Sequence, residues 1–229
     1  MTEFPNNPNP ASIACPECQA DCSHLTEIRK LREEVNQLQA LVRTDELTGL
    51  FNFRYFSHAM ELEMERTRRS GQPTSLIMFD LDHFKDINDD HGHEAGNAVL
   101  THVAALVRKT LRRLDIPCRY GGEEFTIILP DTSLTDGILL ANRLRVIIEN
   151  STIASEEKQL KVTASFGVDR YSTGDTRTEK EFIEKVDSFL YQAKEEGRNR
   201  VCHSDESDDG YGVSSDEKDA LMDMYGSDS

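Results

Sequence analysis

The chain has no apolar run approaching the roughly 20 residues of a membrane-spanning helix, so no membrane association is expected. Its opening residues, MTEFPNNPNPAS, lack a basic flank and an apolar core, and no secretory signal is expected there. Positive charge is scarce. Twenty-six Lys and Arg against 42 Asp and Glu leave a formal net charge of −16, which argues against general nucleic-acid binding, because that needs a basic footprint. A disulfide framework is missing too. The five cysteines (Cys15, Cys18, Cys22, Cys118 and Cys202) are odd in number and unevenly spread, as reduced thiols are. A cytoplasmic location follows as the expectation. The apolar fraction of 37% is modest for one globular domain among the 229 residues, because part of the chain reads as non-globular.

The charge is concentrated at one end. From His203 to Ser229 there are seven Asp, two Glu and one Lys, a net of −8, which is half the total. Residues 204–229 therefore read as an acidic, Ser- and Gly-rich disordered tail. Residues 1–23 read as a disordered, Cys-containing N-terminus. There Cys15-Pro16-Glu17-Cys18, followed by Cys22 and His24, resembles half of a zinc site. All these candidates fall within ten residues, which is cramped for one tetrahedral centre, so structural zinc at Cys15 and Cys18 is not expected. Residues 24–44 read as a helix. Ile28, Val35 and Val42 fall at heptad a positions and Leu31 and Leu38 at d, the pattern of a parallel two-stranded coiled coil. A dimerisation stalk is the expectation; a helix packed on its own domain is the alternative, since the repeat is barely two heptads.

Residues 45–203 alternate between two periodicities. Helices are predicted near 53–69, 96–113, 134–149 and 179–196, and strands near 75–80, Glu124–Leu129, Lys161–Val168 and Arg200–His203. Such alternation predicts an α/β domain with a mixed central sheet flanked by helices. Two acidic segments stand out. Asp80-Leu81-Asp82 follows the apolar run Ser75–Phe79, and Arg119-Tyr120-Gly121-Gly122-Glu123-Glu124-Phe125 places two glycines in a tight turn and two carboxylates at the start of the next strand. Carboxylates at a strand end and on a hairpin tip suit metal-assisted phosphoryl transfer.

Together with Asp45-Glu46-Leu47-Thr48-Gly49-Leu50-Phe51-Asn52 just after the stalk, these segments resemble the GGDEF family of diguanylate cyclases, in a GGEEF variant. The resemblance runs from about Asp45 to Cys202. It implies a nucleotidyl-cyclase-like fold in which two protomers each hold one GTP, and it implies two Mg²⁺ or Mn²⁺ ions per active site. By resemblance Asp80, the Leu81 carbonyl and Glu124 hold metal, Glu123 and Glu124 form the catalytic acidic pair, and Lys85, Lys194 and Arg198 meet the phosphates. Lys194 and Arg198 are read as neighbours on one helix face. Phe84, Asn88, His93 and Asn97 fall in the substrate-binding stretch, which the family writes Asn-Asp-x-x-Gly-His-x-x-Gly-Asp. The chain departs from that pattern at Asn97, where an amide replaces the carboxylate that would accept two guanine hydrogen bonds.

Arg112-Arg113-Leu114-Asp115 resembles the family's R-x-x-D site, at which cyclic di-GMP acts as an inhibitor, with Arg143 as a secondary arginine; a helix end decorated with cations is the plainer reading. The expectation is a homodimeric cyclase with a short stalk in place of a sensory domain, controlled by a regulatory protein acting on that stalk. Two rivals remain: a degenerate module that binds GTP or cyclic di-GMP as an effector, and a cyclase with relaxed base choice.

Overall fold

The computed structural model describes residues 26–34, 43–155 and 158–204. Residues 26–34 are helical (α1) and belong to a unit that ends at Arg43, while a second unit begins at Thr44. The Cys15–His24 cluster, the seam positions Val35, Leu38 and Val42, and the acidic tail beyond Ser204 lie outside the described residues.

In the second unit the elements run β1 (Phe51–Asn52), α2 (Phe53–Ser70), β2 (Thr74–Leu81), α3 (Phe84–Thr110), β3 (Ile116–Gly121), β4 (Glu124–Leu129), α4 (Leu134–Asn150), β5 (Ile153–Ser155), β6 (Lys158–Leu160), β7 (Ala164–Tyr171), α5 (Glu179–Glu195) and β8 (Val201–His203). Six strands form one mixed sheet in the order β1-β3-β4-β2-β7-β8, and β5 pairs with β6 apart from it. The pairs β1–β3 and β7–β8 are parallel and the three central pairs are antiparallel.

Strand alternation divides the core in two. Along β2, Ile77, Phe79 and Leu81 join Val99 and Val103 of α3 and Leu144 of α4, whereas Leu76 and Met78 join Phe56 of α2 and Val186 of α5. Burial of β2 on both faces is why it reads as a continuous apolar run. Gly167 on β7 lets α5 approach: a Cβ there would lie 2.3 Å from the Val186 carbonyl oxygen and 2.5 Å from the Leu190 nitrogen. The helix backbone thus rests on the strand, and the C-terminal turn of α5 reaches the end of β2. Helix starts follow their caps, with Asn52, Ser133 and Thr178 accepting amide bonds and Thr178 completing a capping box with Glu181.

The structure differs from the sequence expectation in three places. Helix α3 begins at Phe84 instead of near 96, with non-helical backbone at Gly92, because its first turns are polar and carry no apolar stripe. It ends at Thr110, before the anticipated 113, because Leu111 is already extended. The strand anticipated at 161–168 is shifted: residues 161–163 are in no strand, the central strand β7 covers 164–171, and a separate short strand at 158–160 pairs with β5.

Candidate active site

Sheet register brings the two acidic segments together. Asp80, on β2, lies directly across from Glu124 on β4 and from Ser165 on β7. The irregularity in the β3–β4 ladder between Arg119 and Gly121 bends the hairpin beside them. From the other side, Lys194 in the last turn of α5 places Nζ 3.1 Å from Asp80 Oδ2. Asp80 is only 8% exposed. Burial pushes its carboxyl up to about 6; Lys194 opposes the shift, and Glu123 and Glu124 add to it. Glu124 is also raised, first by burial, then by the negative charges of Asp187 and Glu123, with Lys194 again opposing. Poorly solvated carboxylates that repel one another are a place where a cation lowers the energy.

The donors present fit a hard divalent ion. Asp80 and Glu124 offer carboxylate oxygens, and Leu81, the last residue of β2, adjoins them with a backbone carbonyl. Among the described residues no three His, Cys, Asp or Glu side chains gather as a metal cluster. Such a set leaves positions for water and phosphate oxygens, as Mg²⁺ prefers.

The hairpin tip is tied to the entry segment. Arg119 donates through Nε to the Gly122 carbonyl at 3.0 Å and through Nη1 to Asp45 Oδ2 at 3.1 Å. Asp45 also accepts from the Thr48 amide at 2.9 Å and the Thr48 hydroxyl at 2.6 Å. Burial raises the Asp45 carboxyl, but the bonds from Thr48 and Arg119 outweigh it and hold the group below its ordinary value. Sequence patterns assign Arg119 no role, since its partner lies 74 residues away.

The remaining candidates fall into three groups. Asn88, His93 and Asn97 lie on α3 on either side of the Gly92 break, with His93 and Lys85 exposed and Phe84 buried. Gly96 makes room for Asn88: a Cβ at 96 would sit 2.1 Å from Asn88 Oδ1 and 3.1 Å from Phe84 Cζ. The Asn88 amide is thereby packed against Gly96, the residue before Asn97. At the opposite end of β3 from the hairpin tip, Arg112, Asp115 and Arg143 line one cavity of about 200 Å³ with Thr110 and Leu139. Asp115 Oδ2 accepts the Arg112 amide at 2.8 Å, so the R-x-x-D run is a turn past the end of α3.

Arg198 requires a correction. It is not on a helix face with Lys194, because α5 stops at Glu195 and Gly197, Arg198 and Asn199 all take positive φ (112°, 61° and 47°). Arg198 is exposed in the loop before β8. Sequence reasoning also missed what holds that loop. Asp82, 4% exposed, accepts from Thr163 Oγ1 and Ser165 Oγ at 2.7 Å each and from the Asn199 amide at 3.1 Å. The only signal was its place two residues after Asp80.

Paired carboxylates on adjacent strand ends, a lysine against them and a cationic loop alongside define the class: a mixed-sheet α/β domain with an acidic strand-end site. Residues 42–200 match the family described as "Diguanylate cyclase, GGDEF domain". The response regulator PleD of Caulobacter vibrioides is 40% identical over 173 residues, which is 75% of this chain and 38% of PleD. Among solved structures, the diguanylate cyclase SiaD of Pseudomonas aeruginosa, in complex with its activator SiaC, aligns with a TM-score of 0.68 and 33% identity over 78% of this chain and 68% of SiaD. The coiled coil and GGDEF domain of DgcB from Caulobacter crescentus, in complex with c-di-GMP, aligns with a TM-score of 0.68 and 27% identity over 79% of this chain and 95% of that one. The chain belongs to the GGDEF family. It spans 38% and 46% of the length of two of the curated relatives it matches, PleD and diguanylate cyclase A of Treponema denticola. Among the described residues no helix is long and apolar enough to cross a membrane.

Proposed function

We propose that this chain is a diguanylate cyclase that condenses two GTP into cyclic di-GMP and two pyrophosphates. The observation that carries this reading is the register of Asp80 against Glu124 with Lys194 3.1 Å from Asp80. In each half-reaction a 3′-oxygen gives up its proton to Glu124 and bonds to the α-phosphorus of the other nucleotide, while the bond from that phosphorus to the β,γ-bearing oxygen breaks and pyrophosphate departs. Asp80, Glu124 and the Leu81 carbonyl would hold two Mg²⁺ or Mn²⁺ ions. Bound there, such ions would neutralise charge building on the phosphoryl oxygens and leaving group. Lys194, Arg198 and Lys85 bind phosphate oxygens, Glu123 and Glu124 present the acidic pair at the hairpin tip, and Asn88, His93 and Asn97 face the base along α3 with Phe84 packed beneath.

Each protomer supplies one half-site, so activity requires a homodimer. Support comes from α1, where Ile28 and Leu31, three residues apart, are 41% and 53% exposed and available to a parallel partner helix. SiaD with its activator is the precedent for a regulatory protein, which we place on the stalk of this chain. Feedback by cyclic di-GMP is supported by the convergence of Arg112, Asp115 and Arg143 on one cavity. The enzyme would act in the cytoplasm, on free nucleotide. Asn97 favours one variation, a cyclase with relaxed base choice, because its amide can satisfy only one of two guanine donors.

The test is direct. Purified protein with Mg²⁺ is given GTP, ATP or both, and the products are separated by chromatography. Cyclic di-GMP from GTP is the expected result. Nucleotide binding without any cyclic product would overturn the cyclase reading in favour of an effector-binding module.

A further inference from the structure

Two consecutive side-chain-bearing residues, Arg198 and Asn199, sit at φ 61° and 47°, where ordinary L-residues rarely stay. Such a stretch persists only where its surroundings over-determine it. Here they do. The Arg198 amide donates to the Ala193 carbonyl at 3.0 Å and the Arg200 carbonyl accepts the Phe166 amide at 2.8 Å, so the loop is pinned on both sides. Between these pins, the Asn199 amide donates to Asp82 Oδ2. The Asn199 side chain reaches the other way, donating through Nδ2 to Glu149 Oε1 at 2.8 Å and accepting from Arg145 Nη1 at 3.2 Å. Arg145 also pairs with Glu149 Oε2 at 3.1 Å, closing a ring of three side chains.

We infer that Asp82, Asn199, Glu149 and Arg145 are positioning residues that fix where Arg198 meets the triphosphate relative to the carboxylates at the end of β2. This rests on the cyclase reading for the role of Arg198 and adds the device that aims it. Asp82 is the central element. It stands two residues beyond Asp80, is buried, and gathers donors from three separate segments: Thr163, Ser165 and the Asn199 amide. The strand end that carries the metal-binding carboxylate is thus joined to the phosphate-gripping loop by one rigid side chain. Arg198 is itself exposed and has a long, flexible side chain, so its direction is set by the backbone at 198–199. Without the tie, the guanidinium would sample many orientations and the triphosphate would lose a preorganised partner. A tie that merely stabilised the fold would act on every ligand alike; one that aims Arg198 acts only on ligands with phosphates within its reach.

The experiment uses the full chain with Mg²⁺ and two probes: 3′-deoxy-GTP, which lacks the attacking hydroxyl and cannot be condensed, and GMP, which lacks the outer phosphates. Asn199→Ala keeps the backbone amide on Asp82 but removes the side-chain bonds to Glu149 and Arg145; calorimetry should show it binding 3′-deoxy-GTP about tenfold more weakly with GMP affinity unchanged. In an Arg198→Ala background the same substitution should add nothing, because the two act through one contact. Equal losses for both probes, or full additivity with Arg198→Ala, would overturn the inference. If Asn199→Ala does not fold, Glu149→Ala breaks the same tie from α4 and is read by the same criteria. A parent protein that shows this pattern yet makes no cyclic di-GMP from GTP refutes the cyclase reading and leaves the positioning role standing. A parent protein without any preference for the triphosphate over GMP refutes both.

Discussion

Replacing Asp80 with Asn should make the metal-free protein more stable at neutral pH while abolishing its response to metal. Asp80 is raised from its ordinary value of 3.8 to about 6 in the fold, so the folded state binds its proton more tightly than the unfolded chain does. A carboxyl of this kind is harmless to stability below its unfolded value. As pH climbs through roughly 4 to 6 its ionisation costs the folded state progressively more, and above about 6 the cost is complete. A gap of about two units at 1.36 kcal/mol each approaches 3 kcal/mol; discounted for the water that reaches the cleft, about 2 kcal/mol is a fair figure. Asparagine keeps the shape and removes the charge. Asp80→Asn should therefore unfold about 4–8 °C higher than the parent at pH 8 in EDTA, with little difference at pH 4. Saturating Mg²⁺ should narrow or reverse the gap, because only the parent gains binding free energy. The assay is thermal unfolding followed by circular dichroism between pH 4 and 8.5, with EDTA and with Mg²⁺. Equal stabilisation at both ends of the range, or none at pH 8, would show that Asp80 is not held in a poorly solvated, mutually repelling cluster.

Three further outcomes are expected. Glu124→Gln removes the charge of one of the two carboxylates we propose as metal ligands, with little change of shape, and should cut turnover at least about a hundredfold; near-normal synthesis at saturating Mg²⁺ would remove Glu124 from the metal site. On the proposed reading of position 97 as a base contact, Asn97→Asp supplies a second acceptor for guanine, a gain of about 1–3 kcal/mol that should appear as tighter GTP binding and sharper rejection of ATP with little change in maximal rate. Equal affinities and equal discrimination in the two proteins would place position 97 away from the base. Arg112→Ala keeps the turn, since Asp115 accepts the backbone amide of residue 112, but loses the guanidinium. Progress curves should start at the parental rate and escape the slowing that accompanies product build-up, and unchanged curves would count against feedback through this cavity.

Much of the architecture is written locally, and local signals determined it. The run from Ser75 to Phe79, the stripe of Val99, Val103 and Val107, and the Gly-Gly-Glu-Glu turn each depend on neighbours a few residues away, so the helices, most strands and the acidic hairpin are legible from the residues alone. The paired carboxylates are legible too, whereas Lys194 and the R-x-x-D turn stand out only through the resemblance to the GGDEF family. What sequence periodicity could not decide was partnership across the chain. Lys194 against Asp80, Arg119 against Asp45, and the three donors on Asp82 come from segments joined only by sheet order and by the close approach of α5 over Gly167. A lone arginine or a second aspartate in a motif carries no mark of a partner 74 or 117 residues distant. The local rule also failed where tertiary bonds overrode it: Lys194 and Arg198 have helical spacing, yet the left-handed turn at Gly197 and the pull of Asp82 and Glu149 on Asn199 carry Arg198 off the helix. Burial of Asp80, and with it the displaced protonation of the site, likewise belongs to the assembled sheet, because a carboxyl in the extended chain is solvated whatever its neighbours.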